Sequence, residues 1–419
     1  VFRGRDGVGH NFVALGLDYA CFLVAMSFAS QATILPAFAT HLGASSLQIG
    51  AIPAILTVGW FLPSLFVAHH TERLPRKLPF VLRWTVWERV PLPALAAVAF
   101  FVAEPWPGAA LGVLFVLLLV LASTGGALMP AWMDIVGRTI PTTLRGRFFG
   151  AANAVASTGG LLGSVLTAWL LATHSPPRSY GLCFLAGSVF MACSYASLAM
   201  VREPAGDVAP AGGGLGDYLR RMPALLRRDT NLSWFIVARG IGTVGTMANG
   251  FYTVHALRTF AAADWQVGVL TTCFLAGQLA GNAALGWLAD RAGHRLVLAL
   301  GLGALAAGNL AALAAGSAEA LGAVLALSGL YQASAHISAR TILLELAPPA
   351  ERPTYIGLSN TALAPVNFLA PLAAGLMVDR LGFRAVFGLA ALLATLGALV
   401  LVARVREPRR AAARRGSAG

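Results

Sequence analysis

Ionisable side chains lie inside the apolar runs of this sequence, where a charge costs about 3 kcal/mol at a membrane helix centre unless it is paired or hydrated. Asp18 is one, and Arg239 sits at a similar depth in a later run. If those runs face each other, the two form a salt bridge that opens when Asp18 takes a proton. A static pair that fixes helix packing is the competing reading. Glu88 and Arg89 are adjacent on one run and point different ways as a helix; Pro91 and Pro93 then kink it. Packing is favoured for that pair, with Glu88 the second candidate proton carrier. The most polar run holds Tyr331, Gln332, Ser334, His336, Ser338 and Arg340. Gln332, His336 and Arg340 are spaced by four and share one helix face. Such a stripe is untenable against lipid, so it faces a cavity or a neighbouring helix, the cavity being favoured. Asp134 is near the depth of Arg340 and either meets it as a gate or ties to Arg138, one turn away.

The elements that carry these residues follow from composition. Of 419 residues only 11% are charged, against roughly 25% in soluble domains, and the mean hydropathy is +0.73. Apolar runs of about 20 residues cross a hydrocarbon core, and inside lipid such runs must be helices. The class is an all-α polytopic membrane protein, with the lipid bilayer as its medium. The net charge of +13 resides in loops, so no nucleic-acid partner is expected. Cys183 and Cys193 are about 15 Å apart along one helix, too far for a disulfide, and no metal site is indicated. Nothing resembles a nucleophile–base pair or a phosphate-cradling Gly-Lys-Ser/Thr loop. An enzyme is not expected, nor a cofactor.

Twelve runs are counted, at 11–38, 47–68, 79–103, 108–134, 148–172, 180–201, 232–257, 266–289, 296–316, 320–346, 355–378 and 384–403. The first is read as a retained span. The chain divides into an N-terminal bundle (1–201), a linker with a short amphipathic segment (202–231), a C-terminal bundle (232–403) and a basic tail (404–419). Two patterns repeat in order between the halves, as expected of related modules. Pro141, Arg145, Gly150 and Asn153 return as Pro348, Arg352, Gly357 and Asn360. The loop around Gly286, Asp290, Arg291, Gly293 and Arg295 has a worn counterpart at 68–77, with Glu72 in the place of Asp290. Arg145 and Arg352 precede the next helices, where Gly150 and Gly357 allow close approach. With the N-terminus inside, 22 of the 30 Lys and Arg fall in cytoplasmic segments and four opposite. That bias puts both termini in the cytoplasm, in the cell inner membrane.

The loop Gly286-Trp-Leu-Ala-Asp-Arg-Ala-Gly-His-Arg295 resembles the signature of the major facilitator superfamily, departing only at His294. The resemblance covers essentially the whole chain. It implies twelve transmembrane helices in two pseudo-symmetric six-helix bundles, with spans 1, 4, 7 and 10 lining a midplane cavity. The Asp290 loop then acts as conformational hardware, its carboxylate capping a helix or meeting an Arg. Drug–proton antiporters of the family carry an Arg in span 4 and a Gly-Pro step in span 5. Here Gly125-Gly126 stands without the Arg, and Val155-Ala156 replaces Gly-Pro.

The resemblance implies secondary transport of a small organic solute by alternating access, driven by protons or another coupling ion, in a monomer. Proton-coupled efflux of amphipathic compounds is the leading expectation. Uptake of an organic anion by symport is the alternative, on the strength of Arg239 and Arg340. A transport-inactive scaffold or sensor is a third reading.

Overall fold

The computed structural model describes residues 6–72, 74–204, 223–348 and 351–407. All regular structure among the described residues is helical. Ten helices are long and apolar enough to cross a membrane. Two further apolar stretches, expected as spans 3 and 7, are assembled from short helices, which is consistent with twelve crossings.

In the first half the elements are α1 (Asp6–Ser27), α2 (Ile34–His41), α3 (Ser46–Glu72), α4 (Leu78–Trp84), α5 (Val86–Arg89), α6 (Pro91–Phe101), α7 (Pro107–Thr139), α8 (Thr142–Thr173) and α9 (Arg178–Ala199). The second half holds α10 (Thr230–Val244), a 3-10 turn (Gly245–Ala248), α11 (Asn249–Phe260), α12 (Asp264–Ala292), α13 (His294–Ala314), α14 (Ala320–Leu346), α15 (Arg352–Leu381) and α16 (Phe383–Arg404). The chain forms two compact units, residues 1–44 with 55–212 and residues 45–54 with 213–419. The side chains of Glu72 and Arg352, and most of the expected linker and basic tail, lie outside the described residues.

Three of the expected continuous spans are broken. The first stops at Ser27 and resumes at Ile34. The third breaks at Thr85 and again at Val90. Pro91 and Pro93 have no N–H for the carbonyls one turn back, and a tight Glu88 N–H to Thr85 carbonyl bond of 3.1 Å turns the chain before them. The seventh tightens into the 3-10 turn, where backbone groups need outside partners. Asn309 on α13 supplies one: its amide donates to the Gly245 carbonyl (3.4 Å) and its oxygen accepts from the Tyr252 hydroxyl (2.8 Å).

In the first unit α1 packs between α8 and α9 and near α7. Phe148, Leu15 and Ile135 form a core there. Helices α3 and α7 approach closely because Gly126 faces the carbonyls of Gly59 and Trp60. A Cβ on Gly126 would strike both oxygens, whereas one on Gly112 of the same helix meets nothing within 4 Å. Gly126→Leu is therefore expected to lower the melting temperature of the purified protein by the equivalent of about 1–3 kcal/mol. Gly112→Leu should melt with the wild type; equal melting of all three would refute the close approach.

Candidate functional site

The break in span 3 turns Glu88 and Arg89 inward together. Both are buried, at 8% and 9% exposed, and Asp18 of α1 is 3% exposed beside them. One Arg89 Nη2 donates to Asp18 Oδ1 (3.0 Å) and to the Ser194 hydroxyl of α9 (2.8 Å). Its Nη1 reaches Glu88 Oε2 (3.2 Å) and the Thr85 hydroxyl. Ser194 donates to Asp18 Oδ1 (2.6 Å), Thr85 donates to Glu88 (3.0 Å), and Trp132 of α7 gives its indole N–H to Asp18 Oδ2 (2.8 Å). Gly125 of α7 leaves room for the other Glu88 oxygen and for Trp60.

This arrangement bears on two expectations. Within its own unit Asp18 is held by Arg89, Ser194 and Trp132, which engage both of its oxygens. Glu88 and Arg89 do not diverge: within the single turn of α5 the long Arg89 side chain folds back, its Nη1 reaching Glu88 Oε2 and the Thr85 carbonyl. Two carboxylates share one guanidinium, so the cluster reaches neutrality by taking one proton. Unpaired charge is expensive in such surroundings, so the net charge of the cluster turns on whether one carboxylate carries a proton.

The second unit carries cations instead. Arg239 on α10 lies near Tyr331 and Arg340 of α14, and its guanidinium sits 5.9 Å from the Phe235 ring. Among the described residues neither Arg239 nor Arg340 has an ion-pair partner. Gln332 and His336 meet at 3.1 Å along one face of α14, the face Arg340 continues one turn on. Tyr331 is buried, while His336 and Arg340 are exposed. Asp134 is engaged within its own unit. It pairs with Arg138 (2.6 Å) and with Lys77 (2.5 Å), the first being the structural tie weighed as the alternative.

The family model for the Major Facilitator Superfamily matches residues 234–419. That match covers the second half of the chain, and the whole chain has the fold of the solved structures that follow. A nucleoside transporter, NupG, superposes with a TM-score of 0.72 at 13% identity, over 94% of this chain and 100% of its own. A D-xylose–proton symporter gives 0.73 at 13% identity, over 95% and 98%. The E. coli fucose–proton symporter FucP gives 0.61 at 16%, over 96% and 100%. No curated protein matches the sequence. These neighbours are transporters and not enzymes, and the chain is a multi-pass membrane protein of their fold.

The facilitator signature loop is held by a residue the sequence reading passed over. Val-Arg-Glu-Pro occurs at 201–204 and again at 405–408. Glu203 accepts from the backbone N–H groups of Lys77 (2.8 Å) and Leu78 (2.7 Å) and so caps α4. Glu407 accepts from the Arg295 N–H (3.0 Å) at the start of α13. Glu407 thus caps that helix. Gly293, at φ +95°, has no room for a side chain beside the Glu407 carboxylate. Arg291 stacks on Trp287 (3.8 Å), and Arg295 donates to the Val405 carbonyl (2.8 Å). A Cβ on Gly286 would meet Ile337 at 4.0 Å.

Each motif also binds the first helix of its unit. Asn11 pairs with the Arg202 backbone (2.9 and 2.8 Å), and Asn231 with that of Arg406 (3.1 and 2.7 Å). Arg145 folds back onto the Gly137 (2.6 Å) and Ile140 (3.1 Å) carbonyls at the end of α7. Gly150 makes no close approach; a Cβ there meets open space.

Two outcomes are expected in melting experiments. Arg89→Leu strands two buried carboxylates and should cost about 3–5 kcal/mol, less in acid than in alkaline buffer because protonation removes the uncompensated charge. An equal loss in both buffers would count against the shared-proton cluster. Glu203→Ala should destabilise by about 1–3 kcal/mol and more than Glu407→Ala, since Glu203 satisfies two backbone donors and Glu407 one. The reverse order would contradict the capping assignment.

Proposed function

We propose that this chain is a proton-coupled secondary transporter of a small organic anion, working by alternating access. The observation that carries the reading is the sharing of one buried guanidinium by two carboxylates, Asp18 and Glu88. A proton on either carboxylate neutralises the cluster without moving it to water. Two of the fold neighbours are named as proton symporters, which supports coupling of this kind. Protons are the coupling ion in this reading, and the substrate-facing residues are Arg239, Tyr331, Gln332, His336 and Arg340.

The anion is favoured over the amphipathic cation of an exporter on charge grounds. Arg239 and Arg340 present positive charge without an acidic partner among the described residues. Asp18, the carboxylate a cationic solute would seek, is engaged by three donors. The Lys and Arg bias of the loops supports placing both termini in the cytoplasm of an inner-membrane protein.

Thermal melting against organic anions and cationic amphiphiles tests the substrate charge. A ligand at about 100 times its Kd adds about 2.7 kcal/mol. Stabilisation by anions, lost in Arg239→Ala, is the expected result; stabilisation by cations alone would restore the efflux reading. In proteoliposomes with an internal pH dye, the stabilising anion should move protons with the wild type. Asp18→Asn should bind the same anion and move none. Proton movement that persists in Asp18→Asn would remove Asp18 from the coupling step.

A further inference from the structure

Asp18 is fastened to an aromatic surface. Trp132 and Tyr19 stack with ring centroids 5.8 Å apart and an interplanar angle of 26°. Phe149 of α8 stands edge-on to Tyr19 (6.0 Å) and near Trp132 (6.4 Å). All three are half-buried. The polar handles of both amphipathic rings are occupied, the Trp132 N–H by Asp18 and the Tyr19 hydroxyl by Asn153 (3.4 Å). The accessible remainder of these rings is apolar π surface, a surface that favours other flat rings over open chains.

We propose that Trp132 joins substrate contact to proton coupling. Its ring face, with Tyr19 and Phe149, receives the ring of a cyclic or aromatic organic anion, while its N–H reads the state of Asp18. This rests on the function proposed above and names its substrate class. Ionised Asp18 offers Trp132 a charged acceptor, and such hydrogen bonds are roughly twice as strong as neutral ones. When Asp18 takes a proton, that hold on the indole weakens and the ring it positions is released. A bound ring that fixes the indole favours, in return, the ionised carboxylate. The groups facing Asp18 are Arg89 and Glu88 from α5, Ser194 from α9, Trp132 from α7 and Cys21 on its own helix. Trp132 is the one among them that also belongs to the aromatic surface.

The test uses the full chain in detergent and in proteoliposomes, with benzoate, phenylacetate and nicotinate set against hexanoate and succinate. Benzylammonium and hexylammonium form a cationic pair. The wild type should bind ring-bearing members about two- to tenfold more tightly than acyclic ones of equal charge. Trp132→Leu should erase that preference and keep acyclic binding. Trp132→Phe should keep the ring preference and move the midpoint of pH-dependent proton uptake to more alkaline values, since the ionised carboxylate has lost a donor. A ring preference that survives Trp132→Leu overturns the contact role, and an unmoved midpoint in Trp132→Phe overturns the coupling role. If Trp132→Leu does not fold, Trp132→Phe and Phe149→Leu carry the same two readings, with Phe149→Leu expected to reduce the ring preference. Cations binding in place of anions would defeat the proposed substrate charge. The ring comparison within the cationic pair would still decide the aromatic surface.

Discussion

A guanidinium buried among two carboxylates governs the first bundle. Arg89 cannot be left without countercharge in such surroundings, and neither Asp18 nor Glu88 can be left without it. Around that constraint α1, α5, α7 and α9 each contribute a side chain: Asp18, Glu88 with Arg89, Trp132 and Ser194. The packing of those helices is thereby tied to a charge count that one proton changes.

Local irregularity makes the cluster possible. Glu88 and Arg89 share the short turn α5, and the length of the Arg89 side chain lets it fold back to Glu88 and the Thr85 carbonyl. Pro91, Pro93 and the tight turn at Thr85 give up helical hydrogen bonds, and the Thr85 hydroxyl is recruited by both charged neighbours. Small residues do the complementary work on α7. Gly125 clears space for Glu88, and Gly126 lets α3 come against the α7 backbone. The second bundle has its own interruption at Gly245, serviced by Asn309, and among the described residues its Arg239 and Arg340 have no ion-pair partner.

Much of this was legible in the sequence, and what was not has a physical cause. Hydropathy and the repeated loop were sufficient for the helical class and the facilitator fold, because lipid admits few alternatives for the backbone. Asp18, Glu88, Arg89, Arg239 and Arg340 stood out as charges in apolar runs. Their partners did not. Symmetry-related depth drew attention to Arg239, whereas Arg89, in the same bundle as Asp18, bonds it directly. Trp132 escaped notice since an aromatic in an apolar run is ordinary until its N–H has an acceptor. Asp134 illustrates the reverse: helical spacing alone pointed to Arg138, and local geometry was enough. Glu203 and Glu407 were missed although Val-Arg-Glu-Pro repeats after the last helix of each half, a signal that a search for identical tetrapeptides would have raised.

The Asn11–Arg202 and Asn231–Arg406 pairs have a bearing on how such a chain came to be. In each half they knot the end of the last helix to the start of the first, while the adjoining glutamate ties down a third helix. Each half thus closes its own circuit from residues it encodes itself. A gene fragment bearing one half already specifies its clasp, so duplication would copy a finished unit instead of an open-ended one. The segment joining the copies is then free to drift in length and composition, as a hinge pin may be changed without recutting either leaf.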